Sequence, residues 1–436
     1  MRIAAAEYCE QRGERFLLVW GSIPAWMVVD SEMERFISAL SRGLSPLEAL
    51  SEGVSGHSGA SLTQEARVAL QQLRAARVLE GRPLRPPRER IESLSVNVTR
   101  RCNLRCRFCY NGDPCRSEGE LTAEEMIAAL ESVRRWTAKG AALALLGGEP
   151  LLEPAKTLAL AEWGRRRGLR PIVSTNGLLV DRAFAEEAAR IGLEVQVSLD
   201  GPTAVSHDAI RGAGTFDQAV RAVEVLVAAG THTILSMVFH AGNAHEIPEY
   251  LRFARRLGVQ EARFIPLKQI AGGQGFAAPD RAAVVRLVRD TLACEPELRA
   301  LLGRDFFSIL GQTCQTCSLR QGCGTGSQTL LLDADGAVYP CINLTGPVFA
   351  AGNVRGQRLV CIWQHSPVLK EVRRLARTDA RTDSCARCCL RYWCMGGCRG
   401  ETYADTGRVD APSVTCADQR ASILEMMWTL AGEGRS

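Results

Sequence analysis

No apolar run in the chain reaches the roughly 18 residues that a membrane-spanning helix needs. The longest, "FLLVWGSIPAWMVV", is broken by Gly, Ser and Pro. Met1 leads into "RIAAAEYCEQRGER", which carries acidic groups and no cleavage-like site, so no secretion signal is expected. Charge of one sign is also lacking: a net +5 over 436 residues is too mild to draw the chain to nucleic acid or to a membrane surface. Histidine is scarce, and its six copies are scattered without metal-ligand spacing, so they read as structural or solvent-facing. What remains is a soluble, cytoplasmic protein of about two or three domains, with neither nucleic acid nor membrane as a partner.

Cysteine is not scarce. Seventeen of them in a chain without a secretion signal argue against a disulfide framework, because cytosolic thiols stay reduced, and in favour of metal ligation. They also cluster: three lie at 102 to 109, three at 314 to 323 and six between 385 and 416, with Cys341 standing between.

Three regions follow from the patterning. Residues 1–85 open with "ERFLLVWGSIPAWMVVD", two apolar runs around a turn that predict a β-hairpin, followed by three helical segments with Ser45 and Thr63 as candidate caps. This reads as a winged-helix-like α+β module. The Pro- and Arg-rich "GRPLRPPRER" cannot build core, and it places a linker at 86–93 that marks an independent boundary. From 94 to 305 the β-rich runs "SLSVNV", "AALALLGG", "RPIVSTNG", "LEVQVSLDG", "HTILSMVF" and "EARFIPL" alternate with amphipathic helices. The first of these helices opens on a Thr122/Glu125 capping box. Six such units predict an α/β fold, an open or partial (β/α)6 barrel with function at the C-terminal strand ends. Residues 306–436 form a cysteine-rich third region.

The loop after the first strand reads "VTRRCNLRCRFCYN", with Cys102, Cys106 and Cys109 spaced C-x3-C-x2-C and Phe108 before the last. Three thiolates on one loop can hold three corners of a cubane cluster and leave one iron open. A structural zinc site would need a fourth ligand, and none is spaced for it. The pattern resembles the signature of the radical S-adenosylmethionine (SAM) superfamily, which implies a [4Fe-4S] cluster whose open iron is chelated by SAM. One strand later, "GGEP" (Gly147, Gly148, Glu149, Pro150) offers close backbone approach and a carboxylate suited to an ammonium group. It resembles the family segment that binds the SAM amino group. "STNG" and "VSLDG" bring Ser174, Thr175, Asn176, Ser198 and Asp200 to the same rim, as groups for a ribose or carboxylate or as plain strand-end turns. Arg211 resembles a family cation near the SAM carboxylate.

Cys323, Gly336 and Cys341, then Cys385, Cys388, Cys394 and Cys398 spaced C-x2-C-x5-C-x3-C, then Cys416, resemble the SPASM extension of radical SAM enzymes. That resemblance implies two auxiliary [4Fe-4S] clusters, three clusters in all. One would be held by Cys317, Cys323, Cys341 and Cys398, the other by Cys385, Cys388, Cys394 and Cys416. Cys314 competes with Cys317, and Cys389 with Cys388, on spacing alone. The N-terminal module resembles a RiPP recognition element, the unit that captures the leader of a ribosomally made peptide by strand addition. The function so implied is radical SAM modification of a precursor peptide. Hydrogen abstraction from a core residue would lead to a thioether or carbon-carbon cross-link, or to epimerisation, with a flavodoxin- or ferredoxin-type one-electron reductant as second partner. An anaerobic sulfatase-maturating enzyme is the rival, but Ile342 stands where those enzymes place an acidic base. A non-enzymatic iron-sulfur redox or sensor protein would leave "GGEP" without a role.

Overall fold

Apolar residues on both parities of a strand call for cover on both faces, and the N-terminal sheet shows why. Three strands, β1 (Tyr8–Arg12), β2 (Arg15–Trp20) and β3 (Ala25–Asp30), form an antiparallel meander in the order β1-β2-β3, with Leu17 opposite Val28 and Val19 opposite Trp26. Leu18, Trp20 and Val29 pack on helices α1 (Ser31–Arg42), α2 (Pro46–Gly53) and α3 (Gly59–Ala75). Leu17 and Val19, on the opposite face, are fully buried against the C-terminal region, with Trp26 and Val28 beside them. The expected hairpin is therefore β2–β3. The polar β1 carries no hydrophobic alternation that would have revealed it. Asp30 caps α1 and Ser45 opens α2 through a reciprocal pair with Glu48, whereas α3 begins at Gly59, so Thr63 sits inside it and is not its cap.

The structure, a computed structural model, describes residues 3–53, 59–76, 78–79, 89–112, 119–302, 322–377 and 384–433. Cys115, Cys314, Cys317 and residues 86–88 of the expected linker lie outside them.

All six expected barrel strands form. β4 (Ile91–Asn97), β5 (Thr137–Leu146), β6 (Arg170–Thr175), β7 (Glu194–Ser198), β8 (Thr233–Phe239) and β9 (Glu261–Pro266) run parallel in sequence order, with helices between them. β4 starts at Ile91, inside the segment expected as linker, and Ile91 is fully buried. Alternate residues such as Val96, Leu145, Val173, Val197 and Met237 are buried in the one large core. The Thr122/Glu125 capping box is present on helix Ala123–Ser132.

The cysteine-rich region does not stand apart. Its β10 (Thr329–Leu332) pairs in parallel with β4, and β11 (Ala337–Tyr339) and β12 (Gly352–Asn353) follow antiparallel, so one nine-stranded sheet joins barrel and extension. Buried Asp333, on the turn after β10, accepts from Asn97 and pairs with Arg100 just before the cysteine loop. The C-terminal helix Cys416–Glu433 closes the fold against helix Arg281–Cys294 and β3. Its buried Glu425 collects Arg12 at 3.0 Å, Arg289 at 2.8 Å and Arg286 at 3.6 Å. The expectation of an independent N-terminal unit is thus corrected: one face of its sheet belongs to the core of the C-terminal region.

Candidate active site

Parallel strands align their C-terminal ends on one rim, and the loops leaving those ends enclose a cavity of about 420 Å³. Cys102, Cys106 and Cys109 all line it, with Phe108, Gly147, Gly148, Glu149, Ser174, Thr175, Asn176, Ser198 and Arg211. Residues separated by more than a hundred positions thus meet because each ends or follows a strand. Gly147 and Gly148 have a backbone reason to be glycine. A Cβ on Gly147 would come within 2.2 Å of the Thr99 carbonyl oxygen, and one on Gly148 within 2.0 Å of that of Arg101. The "GGEP" turn therefore lies directly against the cysteine loop, tied by Gly148 N–H to Thr99 O and Glu149 N–H to Arg101 O, both 2.8 Å.

Glu149 is 1% exposed. Its carboxylate accepts from Thr175 Oγ1 at 2.7 Å, Asn176 N at 2.8 Å and Leu151 N at 3.0 Å. Burial pushes its carboxyl above the usual carboxylate range, against the pull of these donors and of Arg211. An ammonium group in the cavity would favour the ionised form. We expect Glu149→Gln to weaken SAM binding about tenfold to a hundredfold, the size of one charge-assisted hydrogen bond. Iron content should stay unchanged; equilibrium binding and iron analysis of the same preparation check this.

Arg211 ends helix Ala204–Arg211 with only 11% of its side chain exposed. Its Nη1 lies 3.9 Å from Cys106 Sγ, while its Nε donates to Asp200 Oδ2 at 2.5 Å. Two expected rim residues do not reach the cavity. Asp200 is fully buried behind Arg211, its other oxygen accepting from Val238 N at 2.9 Å, so it positions the arginine and does not line the cavity. Pro150 starts the short 3-10 turn after Glu149 and faces the core. His207 accepts from Asp200 N at 3.1 Å and stacks edge-on to Phe216; burial pushes its imidazole down to about 4, so it stays neutral. Gln196, Ser236, Lys268, Ile342 and Asn343 also line the cavity. Sequence reading singled out Ile342 only against the sulfatase-maturating pattern and missed the other four, which carry no motif.

The donor set fits a cubane cluster. Among the described residues the cavity lining contains three thiols, with Glu149 on the same wall, and a cluster held by these three would keep one corner open. Burial pushes the thiols of Cys102 and Cys106 up, so the charge of iron is needed to make them thiolates. Leu104 N–H points at Cys102 Sγ at 3.4 Å, the kind of N–H···S bond that supports a cluster ligand.

Two further thiol groups form in the C-terminal region. Cys323, Cys341 and Cys398 lie near one another, and burial pushes Cys341 up to about 12. Burial pushes Cys394 up to about 11, and Cys416, Cys388 and Cys385 are near enough to raise it further. Met395, Gly396 and Gly397 all adopt positive φ (52°, 78° and 76°), reversing the chain so that Cys394 and Cys398 face different groups. Cys389 is buried against the N-terminal sheet, which Cys388 and Cys394 also touch, and there the backbone of Gly21 approaches so closely that a Cβ would lie 2.5 Å from Cys389 Cα. Cys388, near Cys394 together with Cys385 and Cys416, is favoured over Cys389 in the second group.

Residues 96–254 match the radical SAM superfamily, and residues 323–389 match SPASM, an iron-sulfur cluster-binding domain. Mycofactocin maturase MftC of Mycobacterium tuberculosis is 31% identical over 331 residues, which is 74% of this chain and 82% of that protein. The chain belongs to the radical SAM superfamily. It is a SAM-dependent enzyme with a SAM-binding [4Fe-4S] cluster and auxiliary clusters. AdoMet-dependent heme synthase of Methanosarcina barkeri is 28% identical over 333 residues, 72% of this chain and 93% of that protein. Among solved structures, Streptococcus suis SuiB bound to S-adenosylmethionine shares the fold with a TM-score of 0.63 at 16% identity, covering 95% of this chain and 99% of SuiB. For anSMEcpe with bound AdoMet the TM-score is 0.63 at 19% identity, covering 78% of this chain and 99% of that one. No helix among the described residues is long and apolar enough to cross a membrane.

Proposed function

We propose that the protein is a peptide maturase: a radical SAM enzyme that modifies a ribosomally made precursor peptide and recognises its leader through residues 1–85. The observation that carries this reading is the N-terminal sheet. β3 is an edge strand bonded only to β2 among the described residues, which suits addition of an extended peptide. The same sheet rests on the cysteine-rich region, which ties a captured leader to the body that holds the cavity. Relatives support the class: MftC is named a maturase, and SuiB, of like fold over nearly the whole chain, has been solved bound to its precursor peptide SuiA.

Cys102, Cys106 and Cys109 would hold the [4Fe-4S] cluster which, with SAM and an electron from an external flavodoxin- or ferredoxin-type carrier, would supply the radical chemistry that removes a hydrogen atom from a substrate residue. The chain's own residues bind and orient: Glu149 offers its carboxylate to the SAM ammonium, and Arg211, held by Asp200, offers its guanidinium to the SAM carboxylate. Ser174, Asn176 and Ser198 face the space left for the sugar. Cys323, Cys341 and Cys398, with Cys317, would hold one auxiliary cluster, the inner one by the burial of these three thiols, and Cys385, Cys388, Cys394 and exposed Cys416 would hold the outer one. Ile342, directly after Cys341, gives the cavity an apolar wall and no acidic base, which weighs against sulfatase maturation.

The test is anaerobic turnover of the peptide encoded beside the gene with SAM and a reductant, read by mass spectrometry. A loss of about two mass units indicates a thioether or carbon-carbon cross-link, the leading expectation. Unchanged mass with deuterium uptake from solvent indicates epimerisation. An unmodified peptide, with SAM cleaved, sinks the reading.

A further inference from the structure

The first turn of the C-terminal helix faces the second cysteine group. Cys416 and Arg420 are one turn apart, i and i+4, and so lie on the same side. Gln419 sits beside them, with its Oε1 3.1 Å from Cys394 Sγ. Arg420 Nη1 lies 3.9 Å from Cys388 Sγ and 3.8 Å from Cys389 Sγ. A guanidinium is a strong fixed cation, and among the described residues of the C-terminal region no carboxylate pairs with it here.

The N-terminal sheet holds it instead. Tyr8 of β1 places its ring under the Arg420 guanidinium, 5.0 Å from the centroid, and its hydroxyl is fixed by Glu10 Oε2 at 2.8 Å. Leu17 and Val19 bury Leu390 and Trp393 on the same cysteine loop, and Gly21 presses on the backbone of Cys389. Arg391 in that loop faces Glu7 across 3.7 Å. The sheet therefore both walls off the loop from water and clamps the cation against a sulfur.

We infer that the N-terminal sheet sets the reduction potential of the outer auxiliary cluster: Tyr8 holds Arg420 against the Cys388 sulfur, and this cation makes the cluster easier to reduce. Reduction adds negative charge to the cluster. A nearby cation and an N–H···S bond stabilise the reduced form more than the oxidised one, and exclusion of water strengthens both effects. The N-terminus of the helix that carries Cys416 adds positive potential of the same sign. Peptide recognition and cluster electronics thus share one interface, which gives the module a role that strand addition alone does not require.

The inference rests on the reading of Cys388 as an outer-cluster ligand, which iron analysis of Cys388→Ala tests separately: iron unchanged at the wild-type level would remove that reading and this one with it. With that ligand secured, full-length protein reconstituted without oxygen is titrated potentiometrically under EPR detection as wild type, Arg420→Gln, Arg420→Lys and Tyr8→Leu. The midpoint of one auxiliary cluster is expected to move to more negative potential in Arg420→Gln and less far in Tyr8→Leu. Arg420→Lys should lie back towards wild type, and the SAM-binding cluster should stay put. If Arg420→Gln fails to retain its iron, Tyr8→Leu decides, since that residue touches no cluster sulfur. An unmoved midpoint in Tyr8→Leu together with either an unmoved midpoint or lost iron in Arg420→Gln overturns the inference.

Discussion

Replacing Cys102, Cys106 and Cys109 together by alanine is expected to abolish SAM cleavage completely and to remove about a third of the iron, about four of about twelve atoms per chain. The size of the effect follows from what the loop does. All three thiols line one cavity with Glu149 and Arg211, and no other thiol among the described residues lines it. No described residue is therefore placed to take over a missing corner. The remaining iron should persist because the C-terminal thiol groups are held by other elements, the turns around Cys323 and Cys341 and the loop from Cys385 to Cys398. Iron analysis and quantification of 5'-deoxyadenosine check both halves. Residual 5'-deoxyadenosine above the background of iron-free protein would place the SAM-cleaving centre elsewhere. Loss of all iron would mean that the three centres do not load independently.

The parts of this site that could be read from sequence are those whose chemistry needs fixed spacing. C-x3-C-x2-C and the glycine pair before Glu149 lie on single loops, so local order determines their geometry. The barrel was legible for a related reason: each of the six strand runs was short, apolar and bounded by turn residues, from "SLSVNV" to "EARFIPL". Asp200 shows the limit. Its place at a strand end suggested a ligand contact, yet whether a carboxylate faces the cavity or the arginine behind it depends on Arg211 and Val238, which come from other elements. Lys268 and Asn343 show the same limit from the other side, since only the closure of strands brings them to the cavity. Strand β1 stayed hidden because "YCEQR" is held by pairing to β2 and not by its own hydrophobicity.

The Pro- and Arg-rich segment between module and barrel suggested a unit that could be removed cleanly, and packing reverses that expectation. Deleting residues 1–85 is expected to destabilise the cysteine-rich region and to strip the outer cluster, not to leave an intact enzyme blind to its peptide. The face that would be uncovered includes Leu390, Trp393, Ile423, Leu424, Met427 and Trp428, all nearly or fully buried against Leu17 and Val19. Fully burying a large apolar side chain is worth about 1.5–3 kcal/mol. Exposing half a dozen therefore approaches the whole stability of a domain, about 5–15 kcal/mol. Glu425 would lose Arg12 as well, and Arg420 would lose the Tyr8 ring. The loop from Cys385 to Cys398 should then loosen and hold iron poorly, because its ligands are positioned by that packing. The truncated protein is expected to carry about eight irons instead of about twelve, to melt at lower temperature and to tend to aggregate. Leu17→Ala, a milder cut at the same interface, should cost about 2–5 kcal/mol with the full chain still present. Thermal unfolding, iron analysis and size-exclusion chromatography of the two proteins decide the matter. A monomeric truncation with wild-type iron and an unchanged melting temperature would show the sheet to be a detachable reader of peptides and not a wall of the cluster site.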